Sequence, residues 1–86
     1  MVMTEKLLST ETVMSREDAA EKMRELADKI GKGKVELKTE SDLIELKPSE
    51  QVEFELEVEE ENDGDISIEV EVEWSKNEKS ENVEIK

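Results

Sequence analysis

Two segments of the chain alternate apolar and polar, mostly acidic, residues without a break. They are Gln-Val-Glu-Phe-Glu-Leu-Glu-Val-Glu at 51–59 and Ile-Ser-Ile-Glu-Val-Glu-Val-Glu-Trp at 66–74. A period of two is the spacing of a pleated strand with one buried face and one wet face. The apolar set is Val52, Phe54, Leu56, Val58, Ile66, Ile68, Val70, Val72 and Trp74, while the opposite set is almost entirely glutamate. A slip of one residue would turn the apolar set outward, so parity fixes the register. A three-residue loop, Asn62-Asp63-Gly64, with Gly64 in the left-handed conformation, closes the hairpin. It pairs Val52 with Trp74, Phe54 with Val72, Leu56 with Val70 and Val58 with Ile68. This face, Trp74 included, is expected to be core.

The same parity extends upstream. Residues 34–38 and 43–47 read as a hairpin turning on Thr39-Glu40-Ser41-Asp42, with Val35 opposite Leu46 and Leu37 opposite Ile44. Pro48-Ser49-Glu50 would return the chain into 51–59, setting Leu46 against Val52 and Ile44 against Phe54. A four-stranded meander follows. Lys6–Thr12 reads as a further strand, since Ser9, Thr10 and Thr12 are tolerated in sheets; its pairing is left open, with an edge position favoured.

Between these lies a helix. Ser15 is a good N-cap, and Glu17 and Asp18 fall in the first turn, where the helix dipole favours acid. Ala19, Met23, Leu26 and Ile30, joined by Ala20 and Ala27, form one apolar stripe at helical spacing. Glu25 and Lys29 stand four apart as a supporting pair, and Gly31 and Gly33 end the helix. The predicted fold is therefore α+β in the order β-α-β-β-β-β, one amphipathic helix packed on a mostly antiparallel sheet. It is expected as a single domain over residues 6–75, between a frayed start at 1–5 and a disordered polar tail at 76–86.

The register has an outward consequence. Glu36 would face Glu45, Glu45 would face Glu53, and Glu53 would face Glu73, with Glu55–Glu71 and Glu57–Glu69 beside them. Like charges directly opposite are destabilising. These eight glutamates form the candidate interaction face.

Composition narrows what such a face can do. The net charge is −14, from 26 acids against 12 bases. Nucleic acid and anionic lipid both need a basic footprint, so neither is expected as a partner. Cations, basic proteins or solubility at high ionic strength are left. The chain has no cysteine and no histidine, which removes thiol chemistry, the commonest general base and most zinc sites. No run of signal or membrane-spanning length is present, and a cytoplasmic protein is expected.

Paired-acid catalysis needs one carboxyl in an apolar pocket beside a cleft. These glutamates lie in even rows on an open face, so no catalytic residue, cofactor or metal site is assigned. Glu59 to Asp65 approaches a calcium loop, with Glu59, Glu61 and Asp63 at its first, third and fifth positions and Gly64 at its sixth. The twelfth position, which must bring a bidentate glutamate, is Val70, and strand patterns flank the loop where helices should. Gly31-Lys-Gly-Lys lacks the spacing and the Ser/Thr of a phosphate loop and reads as a helix stop.

Ser15-Arg-Glu-Asp-Ala-Ala-Glu-Lys-Met-Arg-Glu-Leu-Ala-Asp-Lys-Ile and the amphipathic strand from Ile66 to Trp74 together resemble the amphi-Trp domain family over roughly residues 5–75. The resemblance implies a small, stand-alone prokaryotic domain, common in salt-loving archaea and without an assigned activity. It implies no catalytic residues. The functional expectation is a non-enzymatic accessory module that presents its glutamate face to a basic protein, as a monomer or an edge-strand dimer. The alternative is a halophile protein whose acidic face serves only solubility and weak cation binding.

Overall fold

A computed structural model describes residues 4–75 as one helix followed by four strands. The elements are α1 (Arg16–Lys32), β1 (Val35–Lys38), β2 (Leu43–Leu46), β3 (Glu53–Glu60) and β4 (Ile66–Glu73). The chain divides between Pro48 and Ser49 into two compact units.

In the first unit, Ser15 caps α1 by accepting a hydrogen bond from the Asp18 backbone N–H at 3.0 Å. The helix runs through Gly31 and stops at Gly33, two residues beyond the first expected glycine. Gly33 has φ 83°, a left-handed conformation that glycine adopts without strain. There the Gly33 N–H donates to the Ile30 carbonyl at 3.0 Å and the Lys34 N–H to the Lys29 carbonyl at 3.3 Å. These bonds satisfy carbonyls that the last turn leaves open. The supporting ion pair along the helix is Asp28–Lys32, at 3.1 Å.

β1 and β2 pair antiparallel in the expected register, Val35↔Leu46, Glu36↔Glu45 and Leu37↔Ile44. Their loop closes through the Thr39 N–H to the Asp42 carbonyl at 2.8 Å and the Asp42 N–H to Thr39 Oγ1 at 3.0 Å. α1 packs on β1, and Val35, 2% exposed, is the one fully buried residue among those described.

The second unit is the β3–β4 hairpin. Its ladder runs from Glu53↔Glu73 through Phe54↔Val72, Leu56↔Val70 and Val58↔Ile68 to Glu60↔Ile66. The predicted register holds, and the ladder stops one pair short of Val52 and Trp74. Gly64 has φ 93°, its N–H donates to the Glu61 carbonyl at 2.9 Å, and the Glu61 N–H donates to the Asp65 carbonyl at 2.8 Å.

Three expectations are corrected. Residues 6–12 form no strand: adjacent Leu7 and Leu8 break the alternation, so no single face can be buried. The four-stranded meander is instead two sheets of two strands, β1–β2 and β3–β4. The segment 47–52 contains Pro48, which has no N–H to give a ladder, and the expected register would have set Glu45 against Glu53. The third concerns the hairpin's apolar face, which was expected to be core. Phe54 is 67% exposed and Ile68 72%, while Val72 and Trp74 are half-buried. The expected tail at 76–86 lies outside the described residues.

Candidate functional site: the glutamate face of the second hairpin

Period-two alternation places Glu53, Glu55, Glu57 and Glu59 of β3 on one face with Ser67, Glu69, Glu71 and Glu73 of β4. The ladder then makes Glu53↔Glu73, Glu55↔Glu71 and Glu57↔Glu69 direct partners. Cβ atoms of such partners stand about 4.5–5.5 Å apart, close enough for like charges to repel appreciably. Six of the eight expected site residues are therefore brought together on this hairpin. The other two, Glu36 and Glu45, face each other in the β1–β2 sheet. The expected row of four is not carried by one sheet, because its central link, Glu45 to Glu53, required β2 to pair with β3.

The two acid faces differ in compensation. In the first hairpin Lys34 Nζ lies 3.3 Å from Glu36 and Lys47 Nζ 4.0 Å from Glu45. In the second, no ion pair forms among the described residues. Residues 49–75 hold twelve acidic residues, ten Glu and two Asp, and no lysine or arginine. That absence of a base over 27 residues was visible in the sequence, and it marks the face more sharply than the rows do.

The crowding is felt at Glu71. Glu71 is held above the usual glutamate range, first by a hydrogen bond with the Glu73 side chain and then by repulsion from Glu55, Glu73 and Glu57. Glu71 is solvent-exposed, so burial is not the main cause. A proton shared between neighbouring carboxylates relieves their repulsion, which is why the uptake settles where acids are flanked on three sides.

Two groups of carboxylates come within 4.8 Å of one another, Glu57–Glu59–Glu69 on the face and Glu61–Asp63–Asp65 in the loop, all exposed. The loop group differs from a calcium hand. β3 and β4 flank it in place of helices, and Asp63 Oδ1 accepts a hydrogen bond from the Asp65 N–H at 3.0 Å. Those contacts brace a tight turn. Glu55, Glu57, Glu69 and Glu71 line one open depression together with Val70, and Glu53 and Glu73 line another beside Trp74.

An amphipathic strand running into a tryptophan, behind a Ser-capped helix, is thus a feature of the molecule as well as of its sequence. The Amphi-Trp domain model matches residues 1–86, the whole chain. The chain belongs to the Amphi-Trp domain family. No curated protein and no solved structure matches it. In this Amphi-Trp chain Trp74 stands directly after the last residue of β4. No helix among the described residues is long and apolar enough to cross a membrane.

Proposed function

We propose that this Amphi-Trp domain is a non-catalytic accessory module whose β3–β4 glutamate face docks a basic protein in the cytoplasm. The observation that carries the reading is the uncompensated ladder. Three glutamate pairs face one another, and residues 49–75 contain no lysine or arginine to neutralise them. A lysine- or arginine-rich surface laid across the face would supply the missing counter-charge and speed association at low salt. The resting arrangement is destabilised by its own repulsion, so a cationic partner gains the relief of that repulsion on binding.

The test uses a lysine-rich peptide as the probe. Glu53, Glu55, Glu71 and Glu73 changed together to glutamine remove four charges while keeping shape. A charge-matched control changes Glu11, Glu21, Glu40 and Glu50 instead. If the face is the docking surface, the first variant loses the peptide at low salt and the control keeps it. Equal losses would leave the second reading, an acidic surface of a halophile that serves solubility and weak cation binding only.

A further inference from the structure

The loop that closes the second hairpin holds a junction of a kind found nowhere else in the chain. Asp63 precedes Gly64, and no other aspartate or asparagine of the sequence precedes a glycine. An aspartate carboxyl lies within five-membered-ring reach of the next backbone nitrogen, and glycine has no side chain to hinder the approach. All the groups involved lie within residues 61–65.

We propose that Asp63–Gly64 is a modification site, where the main chain rearranges to an isoaspartyl linkage, and that the loop's own hydrogen bonds hold this back in the folded hairpin. The Gly64 nitrogen attacks Cγ of the protonated Asp63 carboxyl, and closure of the succinimide ring releases one water. A second water then opens the ring. Cleavage at Cγ restores aspartate. Cleavage at the α-carbonyl leaves Gly64 joined through Cβ and Cγ and frees the α-carboxyl. The net change is an isomerisation: one water is lost and one regained, no oxidant or co-reactant is needed, and mass and formal charge are unchanged.

Two hydrogen bonds oppose ring closure. The Gly64 N–H donates to the Glu61 carbonyl at 2.9 Å, and that proton must leave before the nitrogen can bond to Cγ. Asp63 Oδ1 accepts from the Asp65 N–H at 3.0 Å, a bond that the side chain gives up when it swings onto the Gly64 nitrogen. The reaction therefore runs through local opening of the loop, and its rate reports how often the loop comes apart. The product cannot rebuild the same turn. It adds one carbon to the main chain between Glu61 and Asp65, the span closed by the Glu61 N–H to the Asp65 carbonyl at 2.8 Å. It also takes into the backbone the carboxyl that received the Asp65 N–H. The last rung of the ladder, Glu60↔Ile66, then loses the loop that sets its register.

The test incubates the full chain at neutral pH, native and unfolded in urea, with a blocked peptide spanning residues 61–65 in both solutions to correct for the solvent. Digestion and electron-transfer fragmentation then locate isoaspartate. It should form at Asp63 ahead of every other aspartate. In the native chain it should form slower by about tenfold or more, tenfold being the factor that an opening cost of about 1.4 kcal/mol imposes. Isoaspartate appearing first at another position, none in urea, or equal corrected rates in the two states would each overturn the inference. Gly64→Ala strains the folded loop, so its effect is measured in urea, where folding plays no part. There the added methyl should slow the isomerisation severalfold, and an unchanged rate overturns the assignment to this junction.

Discussion

Glu55 and Glu71 are direct partners across the β3–β4 ladder, and the pairs on either side of them, Glu53–Glu73 and Glu57–Glu69, are glutamates too. Nothing basic lies within residues 49–75 to offset them. The behaviour of the molecule toward salt and acid follows from that arrangement.

Salt is expected to stabilise the fold. The Debye length shrinks from about 10 Å at 0.1 M to about 3 Å at 1 M, which is shorter than the spacing of these charges. Thermal unfolding followed by circular dichroism should show Tm rising between low and molar sodium chloride. A flat or falling Tm would mean that the ladder is already neutralised.

Mild acid should act in the same direction. Glu71 is held above its ordinary range by Glu73, Glu55 and Glu57, so the folded chain binds this proton more readily than the unfolded chain does. Its contribution is complete below the unfolded value, about 4.3 for glutamate, and is lost as pH rises through the higher folded value. Stability should therefore increase as pH falls from neutrality into that window, and Glu71→Gln should flatten the increase. An equal increase in Glu71→Gln would assign it elsewhere.

The ends of α1 give a contrast in the first unit. Ser15→Ala removes the acceptor for the Asp18 N–H and should cost about 1 kcal/mol. Gly33→Ala meets no atom within 4 Å, so only its left-handed backbone, φ 83°, is strained, at a cost of about 1–2 kcal/mol. Denaturant titrations should show both changes without altering the slope of the transition.

Val35 is the position where truncation should tell most. It is 2% exposed, beneath α1 and opposite Leu46. Val35→Ala should cost about 2 kcal/mol. The same truncation at Val58, 67% exposed, should cost far less in a monomer. Comparing the two variants at low protein concentration measures the difference.

Parity made both hairpins legible in the sequence. Val35, Leu37, Ile44 and Leu46, and then Phe54, Leu56, Val70 and Val72, can share a face in only one register. Gly64 left only one short loop to close the second of them. Ser15 and Gly33 marked the helix because each does something at a helix end that few residues can do. Whether Leu46 meets Val52, as expected, was not legible. Alternation says which face a residue occupies, and it is silent on which strand edges meet. The exposure of Phe54 and Ile68 escaped for a related reason: a period of two identifies an apolar face without identifying what covers it. Glu36 and Glu45 were rightly matched to each other and wrongly joined to Glu53 by the same step.

The glutamate ladder has a last consequence at the hairpin's margins. Among the described residues β3 and β4 each keep one edge without a ladder partner, and open edges of alternating apolar strands are templates for fibril growth. A third strand of the same kind would seat its own glutamates about 4.8 Å beyond the existing pair, lengthening a column of like charge with every addition. Growth along the sheet is thus opposed at each step by the residues that crowd Glu71. This hairpin can be covered, but it resists being extended.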